Sequence, residues 1–208
     1  ARRAIEDSRR KIASFINVKA EEIIFTGSGT ESNNTVIKGL AFSELGKEKN
    51  HIITSKIEHH AVLEPCEFLE KKGFKVTYLP VDKEGLINIK DIENEITPRT
   101  LVVSIMHVNN EIGTIQPIEE IGKICRRKNV LFHTDAVQSF GKLPIDVKKM
   151  NIDFLSASAH KIYGPKGVGL LYIKKGIQIE PLLHGGGHEF GLRSSTENTA
   201  GIVGFAKA

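Results

Sequence analysis

The sequence predicts an α/β fold in three layers, α/β/α, with a mainly parallel mixed sheet between two helical layers. Three observations carry this. Short apolar, β-type runs alternate along the chain with longer segments whose apolar residues recur at helical spacing. The longest apolar runs, such as residues 101–106, suit a buried strand and fall far short of the roughly 18 residues that cross a membrane. The helical segments between strands run to about ten residues or more, enough to return the chain and start a parallel strand.

In chain order, Ile5, Ile12, Phe15 and Ile16 share a helical face, and Asn17 suits the end of that helix. Residues 23–26 read as a strand running into Gly27-Ser28-Gly29-Thr30. A helix follows, with Val36, Ile37, Leu40, Ala41 and Leu45 on one side. A strand at 51–55 leads to a helix at 61–72, a strand at 74–79 and a loop at 80–85. Residues 101–106 form the next strand, and Pro117 opens a helix reaching 127, where its fixed φ suits the first turn. Strands at 130–133, 152–155 and 168–173 complete the pattern. Ligands of such sheets bind beyond the carboxyl ends of the strands. That rule selects the loops at 27–30, 56–60, 107–113, 135–138 and 157–161.

The 208 residues suffice for one substantial domain, and the 40% hydrophobic and 26% charged shares fit a globular chain. The net charge of +4 is dispersed, as at Glu44, Lys47, Glu48 and Lys49, and aromatics are only 6%. Nucleic-acid surfaces gather their cations and interleave aromatics, so neither nucleic acid nor membrane is expected as a partner. Cys66 and Cys125 form no CxxC pair and fall in helical patterns, which reads as small buried hydrophobes in a reducing, cytoplasmic compartment. The chain opens on Ala1 rather than Met, so a natural N-terminal segment is expected to be missing.

Three segments carry chemistry. Gly27-Ser28-Gly29-Thr30, between a strand and a helix, lets the backbone approach an anion at the helix start, and Ser28 or Thr30 adds a hydroxyl. The same residues also fit a tight turn with an N-cap and a capping glutamate. Dinucleotide and P-loop readings lose ground, because the spacing is not G-x-G-x-x-G and no Walker lysine follows. At 156–167, a strand ends in a hydroxyl, an imidazole and an amine: Ser158, His160 and Lys161. A lysine there suits Schiff-base chemistry, although an isolated lysine in a polar loop is usually a surface residue. Asp135 ends a strand, where a carboxylate can hold a pyridine nitrogen protonated or simply cap a helix. Gln138 lies on the same side of the following turn.

Together with Glu58-His59-His60-Ala61-Val62, Asn109-Asn110-Glu111-Ile112-Gly113 and His184-Gly185-Gly186-Gly187-His188-Glu189, these segments resemble the cysteine desulfurases of the iron–sulfur-cluster and nitrogen-fixation type. That family lies in the class V aminotransferase group of pyridoxal-phosphate (PLP) enzymes of fold-type I. The resemblance covers nearly the whole chain in order, and implies that residues 1–208 are a PLP-binding large domain. It implies that Lys161 holds pyridoxal 5′-phosphate as a Schiff base and moves protons, and that His59 stacks on the ring. Asp135 would pair with the ring nitrogen, and Gln138 and Asn110 would contact the ring hydroxyl side and substrate. Thr30, Ser158 and His160 would bind the phosphate, with Gly29 supplying backbone where the family usually carries another small residue. Thr196 would reach the phosphate of a second copy in a homodimer.

The implied reaction converts L-cysteine to L-alanine and enzyme-bound sulfur, passed to an iron–sulfur scaffold or other sulfur-acceptor protein. The family's loop cysteine, which takes the sulfur, has no counterpart here, since neither Cys66 nor Cys125 lies in a matching context. A smaller C-terminal domain is likewise expected to be missing, so the fragment should transfer little sulfur by itself. Rival readings are another class V enzyme, such as a selenocysteine lyase or small aminotransferase, and a non-catalytic cluster-assembly scaffold. A metal site built from His59, His60, His184 and His188 is disfavoured, because no carboxylate or cysteine stands at ligand spacing beside them.

Overall fold

The computed structural model describes residues 1–208. Helix α1 (Arg2–Phe15) leads to β1 (Ile23–Thr26), α2 (Gly29–Phe42) and the short α3 (Glu44–Glu48). Then come β2 (His51–Ser55), α4 (His60–Glu70), β3 (Lys75–Leu79) and α5 (Ile89–Glu95). β4 (Thr100–Ser104), α6 (Ile118–Lys128), β5 (Leu131–Asp135), β6 (Phe154–Ser158), β7 (Gly169–Ile173) and α7 (Thr199–Lys207) complete the chain.

The strands form one 7-stranded sheet in the order β1-β7-β6-β5-β4-β2-β3. Pairing is parallel from β6 to β3, while β7 runs antiparallel to both β6 and β1. One face carries Val36, Ile37 and Leu40 of α2 with Val62, Cys66 and Leu69 of α4. The other carries Ile5 and Ile12 of α1, Ile121 and Cys125 of α6, and Ile202 and Phe205 of α7. The sheet is thus buried on both sides, the arrangement that demands apolar strands rather than alternating ones.

Polar side chains inside the sheet are satisfied across strands. His133 on β5 reaches Ser104 Oγ on β4 at 2.8 Å through Nδ1 and Ser156 Oγ on β6 at 3.0 Å through Nε2. Burial holds this imidazole neutral, its pKa pushed down to about 3. His51 does the same on β2, with Thr100 and Thr77 each 2.9 Å away.

Several boundaries differ from the sequence expectation, for identifiable reasons. β6 spans Phe154–Ser158 rather than 152–155, because its serines are buried and bonded: Ser156 to His133, Ser158 to His160 Nδ1 at 2.8 Å. β5 starts and ends later than 130–133 and reaches Asp135, with Thr134 Oγ1 donating to Ile105 O at 2.8 Å. β4 stops at Ser104, where its pairing with β2 ends, although Ile105 and Met106 stay buried. The helix expected to carry Leu45 ends at Phe42, and Leu45 belongs to α3. Helices α5 and α7 were not expected. α5 buries only Ile92, and the glycines of α7 weaken its helical signal.

The free edge of β1 is closed by an ion pair. Arg9 on α1 meets Glu189 in a bidentate contact, with Nη1–Oε2 and Nη2–Oε1 both 2.8 Å, and both side chains are almost wholly buried. Arg9 Nη1 also donates to Ile23 O at 2.6 Å, and Phe25 N donates to Glu189 Oε2 at 2.7 Å, so the pair occupies edge groups open to a foreign strand. The guanidinium lies 4.8 Å from the Phe25 ring centroid and 5.1 Å from that of Phe190. Glu189 and Phe190 both hold left-handed backbone conformations, at φ +47° and +59°. That strain persists because the ion pair and stacking over-determine it. Replacing Glu189 with Ala should cost about 3–5 kcal/mol in chemical denaturation, because the buried Arg9 loses its bidentate partner and keeps only the partly exposed Glu6, 3.3 Å from its Nε. A loss under about 1 kcal/mol would show that the pair is dispensable.

Candidate functional site

The five loops selected by the sequence converge. The carboxyl ends of β1, β2, β4, β5 and β6 open into a cleft of about 220 Å³, lined in part by Gly29, Thr30, His59, Asn110, Asp135, Gln138, Ser158, His160 and Lys161. Nine of the ten expected site residues therefore share one cleft. Thr196 does not line it; it is exposed, in the segment between Arg193 and α7.

At one end lies the start of α2. Ser28 is the N-cap, its Oγ accepting from Glu31 N at 3.1 Å. The first N–H groups of the helix, Gly29 and Thr30, lack intrahelical acceptors and point with the helix dipole toward the cleft end. The capped turn of the sequence reading is therefore observed, and the free N–H groups beside it are those the other reading offers to an anion. The Ser158 and His160 side chains line the same cleft, hydrogen-bonded to each other. Burial and the nearby Lys161 and Lys166 push the His160 imidazole below its ordinary pKa. The helix start packs so closely that a Cβ on Gly29 would stand 2.5 Å from Val137 Cγ2. Glycine at 29 is thus matched to valine at 137.

At the other end stands Asp135, buried at the end of β5. Its Oδ1 accepts from Val137 N at 2.9 Å, and its Oδ2 from Asn33 Nδ2 at 2.7 Å. Burial raises its pKa; the Val137 and Asn33 donors and the nearby His59 and Lys161 act against burial. Lys161 lies in the turn of residues Ala159–Ile162 directly after β6. His59 is the N-cap of α4, and its Nδ1 accepts from Ala61 N at 3.0 Å. An accepting Nδ1 leaves the proton of a neutral ring on Nε2.

The loop bearing His59 is clipped to the loop after β4 by residues the sequence reading did not assign. Glu58 accepts from Ser55 Oγ at 2.7 Å, and both its oxygens lie 3.0 Å from Met106 N. Asn109 Nδ2 donates to Ile57 O at 2.8 Å, while Asn109 Oδ1 accepts from Glu111 N and Ile112 N, turning the exposed Asn110 to the cleft. Asn33 was also unassigned. The signal for it is spacing, since it lies one helical turn beyond Gly29 on the same face of α2. Glu58 gave no such signal, because a glutamate before a histidine pair reads as surface.

Cys66 and Cys125 are buried in α4 and α6, as expected, and burial pushes both thiols up to about 12. Neither lines the cleft.

Burial also pushes the Glu58 carboxyl up to about 8. Below the ordinary value of 4.5 both folded and unfolded forms are protonated, so Glu58 adds no pH dependence. Between 4.5 and about 8 the unfolded chain loses the proton first, and stability falls as pH rises; above that the penalty is constant. Glu58→Gln, which mimics the protonated form, should therefore melt higher than the parent at pH 8.5, by the equivalent of a few kcal/mol. The two should melt alike at pH 4.5. Parallel melting curves across that range would contradict the buried, protonated carboxyl.

Comparison with known proteins places this geometry. Residues 1–208 match the family profile described as Aminotransferase class-V. The chain is 59% identical over 207 residues to "Cysteine desulfurase IscS" of Clostridium botulinum (strain Hall), covering 100% of this chain and 52% of that protein. It is 56% identical over 208 residues to the protein of the same description from Methanosarcina thermophila, covering 51% of it. The chain spans about half the length of the curated relatives it matches. Among solved structures, "SspA in complex with cysteine" superposes with a TM-score of 0.96 at 52% identity, over 99% of this chain and 59% of that one. A structure described as "NIFS-LIKE PROTEIN" gives 0.96 at 48% identity, over 99% and 57%. With the whole sequence inside the matched span and the sheet superposing on those of such relatives, the chain belongs to the class V aminotransferase family.

Proposed function

We propose that this chain is the cofactor-binding large domain of a pyridoxal-phosphate-dependent cysteine desulfurase, an enzyme converting L-cysteine to L-alanine and protein-bound sulfur. The observation that carries the reading is a buried carboxylate, Asp135, sharing one cleft with Lys161 and with the helix start at Gly29 and Thr30. A phosphorylated pyridine aldehyde needs these three features together. Its phosphate needs the α2 end, its ring nitrogen a carboxylate, and its aldehyde an amine.

When bound, pyridoxal 5′-phosphate supplies a carbonyl that condenses with amines and a protonated ring that spreads the electron pair released at the substrate's α-carbon. Lys161 Nζ is the amine that would meet that carbonyl and the group that would hold or move a proton at the substrate's α-carbon. Asp135 keeps the proton on the ring nitrogen. Asn110 and Gln138 take the ring hydroxyl side and substrate. Thr30, Ser158 and His160, with the Gly29 backbone, hold the phosphate. His59, fixed through Nδ1, offers its ring face to hold the plane of the pyridine.

Sulfur acceptance is assigned to a cysteine outside these 208 residues, because the thiols of Cys66 and Cys125 are buried, protonated at neutral pH and away from the cleft. Thr196, exposed and off its own cleft, is assigned to the phosphate of a second copy in a homodimer. The sulfur would then pass to an iron–sulfur scaffold or another acceptor protein. The free, buried cysteines support a reducing, cytoplasmic compartment.

The test is an absorption spectrum of the chain with added pyridoxal phosphate, followed by borohydride and peptide mapping. A band near the visible edge that is absent in Lys161→Ala, with the reduced cofactor on the Lys161 peptide, is expected. A band that survives in Lys161→Ala and maps to another lysine would overturn the assignment.

A further inference from the structure

Charge at Asp135 is expensive. The residue is 6% exposed, and burial favours its protonated form. A protonated carboxyl could not serve as the ionic partner of a ring N–H. Asn33 is the one side chain that donates a hydrogen bond to this carboxylate, at 2.7 Å; the other donor, Val137 N, is backbone. The basic side chains near Asp135 are His59 and Lys161, both of which also have work to do on a ligand. Glu58, the other carboxyl near Asp135, opposes ionisation only when it is itself charged.

Asn33 is 1% exposed, lines the cleft, and keeps its Oδ1 without any partner. Turned the other way, the amide would place Oδ1 against Asp135 Oδ2. That orientation suits a protonated carboxyl, whose O–H needs an acceptor. The observed orientation spends the donor on the carboxylate and leaves an acceptor orphaned, which is the arrangement for an ionised Asp135.

We propose that Asn33 is a positioning residue that holds the Asp135 carboxylate ionised and aimed for a cationic ring N–H in the cleft. The identity of that ring rests on the proposed function; the Asn33–Asp135 contact does not. Because Asn33 stands on α2 one turn beyond Gly29, the helix that seats the anion also orients the carboxylate at the opposite end. The cleft's two charged ends are thereby set at a fixed separation by one helix.

The test is the ¹³C-carboxyl NMR titration of Asp135 in the cofactor-free chain, its signal assigned by loss in Asp135→Asn. Removing the donor in Asn33→Ala should raise the titration midpoint by about one unit or more, a tenfold rise in proton affinity. Asn33→Asp keeps the shape of asparagine and substitutes a like charge, so its rise should be larger, and it carries the test if Asn33→Ala unfolds. In the cofactor-loaded Asn33→Ala chain, the ring ¹⁵N shift of labelled pyridoxal phosphate should move toward the unprotonated position. Asp135 midpoints within a few tenths of a unit of the parent in both variants would overturn the proposal. Failure of Lys161 labelling with the midpoint still shifted would sink the cofactor reading alone.

Discussion

A buried carboxyl hydrogen-bonded to a helix governs the arrangement of the rest. Asp135 lies at the end of β5, out of water, and an unpaired charge there is far costlier than a neutral polar group. Its two hydrogen bonds come from the Val137 backbone and the Asn33 amide, and in the ionised form of Asp135 each would contribute roughly 1.5–3 kcal/mol. The Asn33 bond forms only if α2 lies close on the sheet. That closeness explains Gly29, whose Cβ would collide with Val137, and Gly169, where a Cβ would stand 2.7 Å from the Ser28 carbonyl carbon. Close packing, helix direction and carboxylate position are one constraint expressed at several residues.

The topology then delivers the remaining groups. Parallel β6, β5, β4 and β2 end on the same side, so Lys161, Asp135, Asn110 and His59 arrive at one edge without any long excursion. β1 runs the same way because β7 lies antiparallel between it and β6, and this brings the start of α2 to that edge as well. The loop carrying His59 is fixed by Glu58 and Asn109, which bond the backbone of neighbouring loops and do not themselves line the cleft. At the sheet margin the Arg9–Glu189 pair closes β1 and anchors the segment leading to Arg193, whose guanidinium meets Glu31 at 2.8 Å in the first turn of α2. The start of α2 is therefore braced from both the sheet and the strap that follows β7.

Much of this was legible in the sequence. Strand-then-polar-loop punctuation located all five cleft loops, and residue type located Lys161, Asp135 and the glycine-bearing helix start, because chemistry-bearing residues gather where strands end. The antiparallel β7 was not foreseen, yet its cause is in the sequence. Only a short 3-10 turn, Ala159–Ile162, separates β6 from β7, and a parallel return needs a crossover of about a dozen residues or more. The limit of β6 slipped at the buried Ser156 and Ser158, whose hydrogen bonds, to His133 across the sheet and to His160 in the following turn, leave no periodic trace. Asn33, Glu58 and Asn109 stayed hidden for a related reason. Their roles depend on a partner brought near by folding, Asp135, Met106 and Ile57 respectively, and local spacing does not name that partner.

The central claim is that one cleft binds a phosphorylated pyridine with its anion on α2 and its ring nitrogen on Asp135. The most direct measurement is a crystal structure of the chain grown with pyridoxal phosphate. The account predicts density continuous with Lys161 Nζ, the phosphate at the Gly29–Thr30 backbone, and the ring nitrogen within hydrogen-bond distance of Asp135. An ordered cofactor whose ring nitrogen faces away from Asp135, or whose phosphate lies elsewhere than the start of α2, would contradict it.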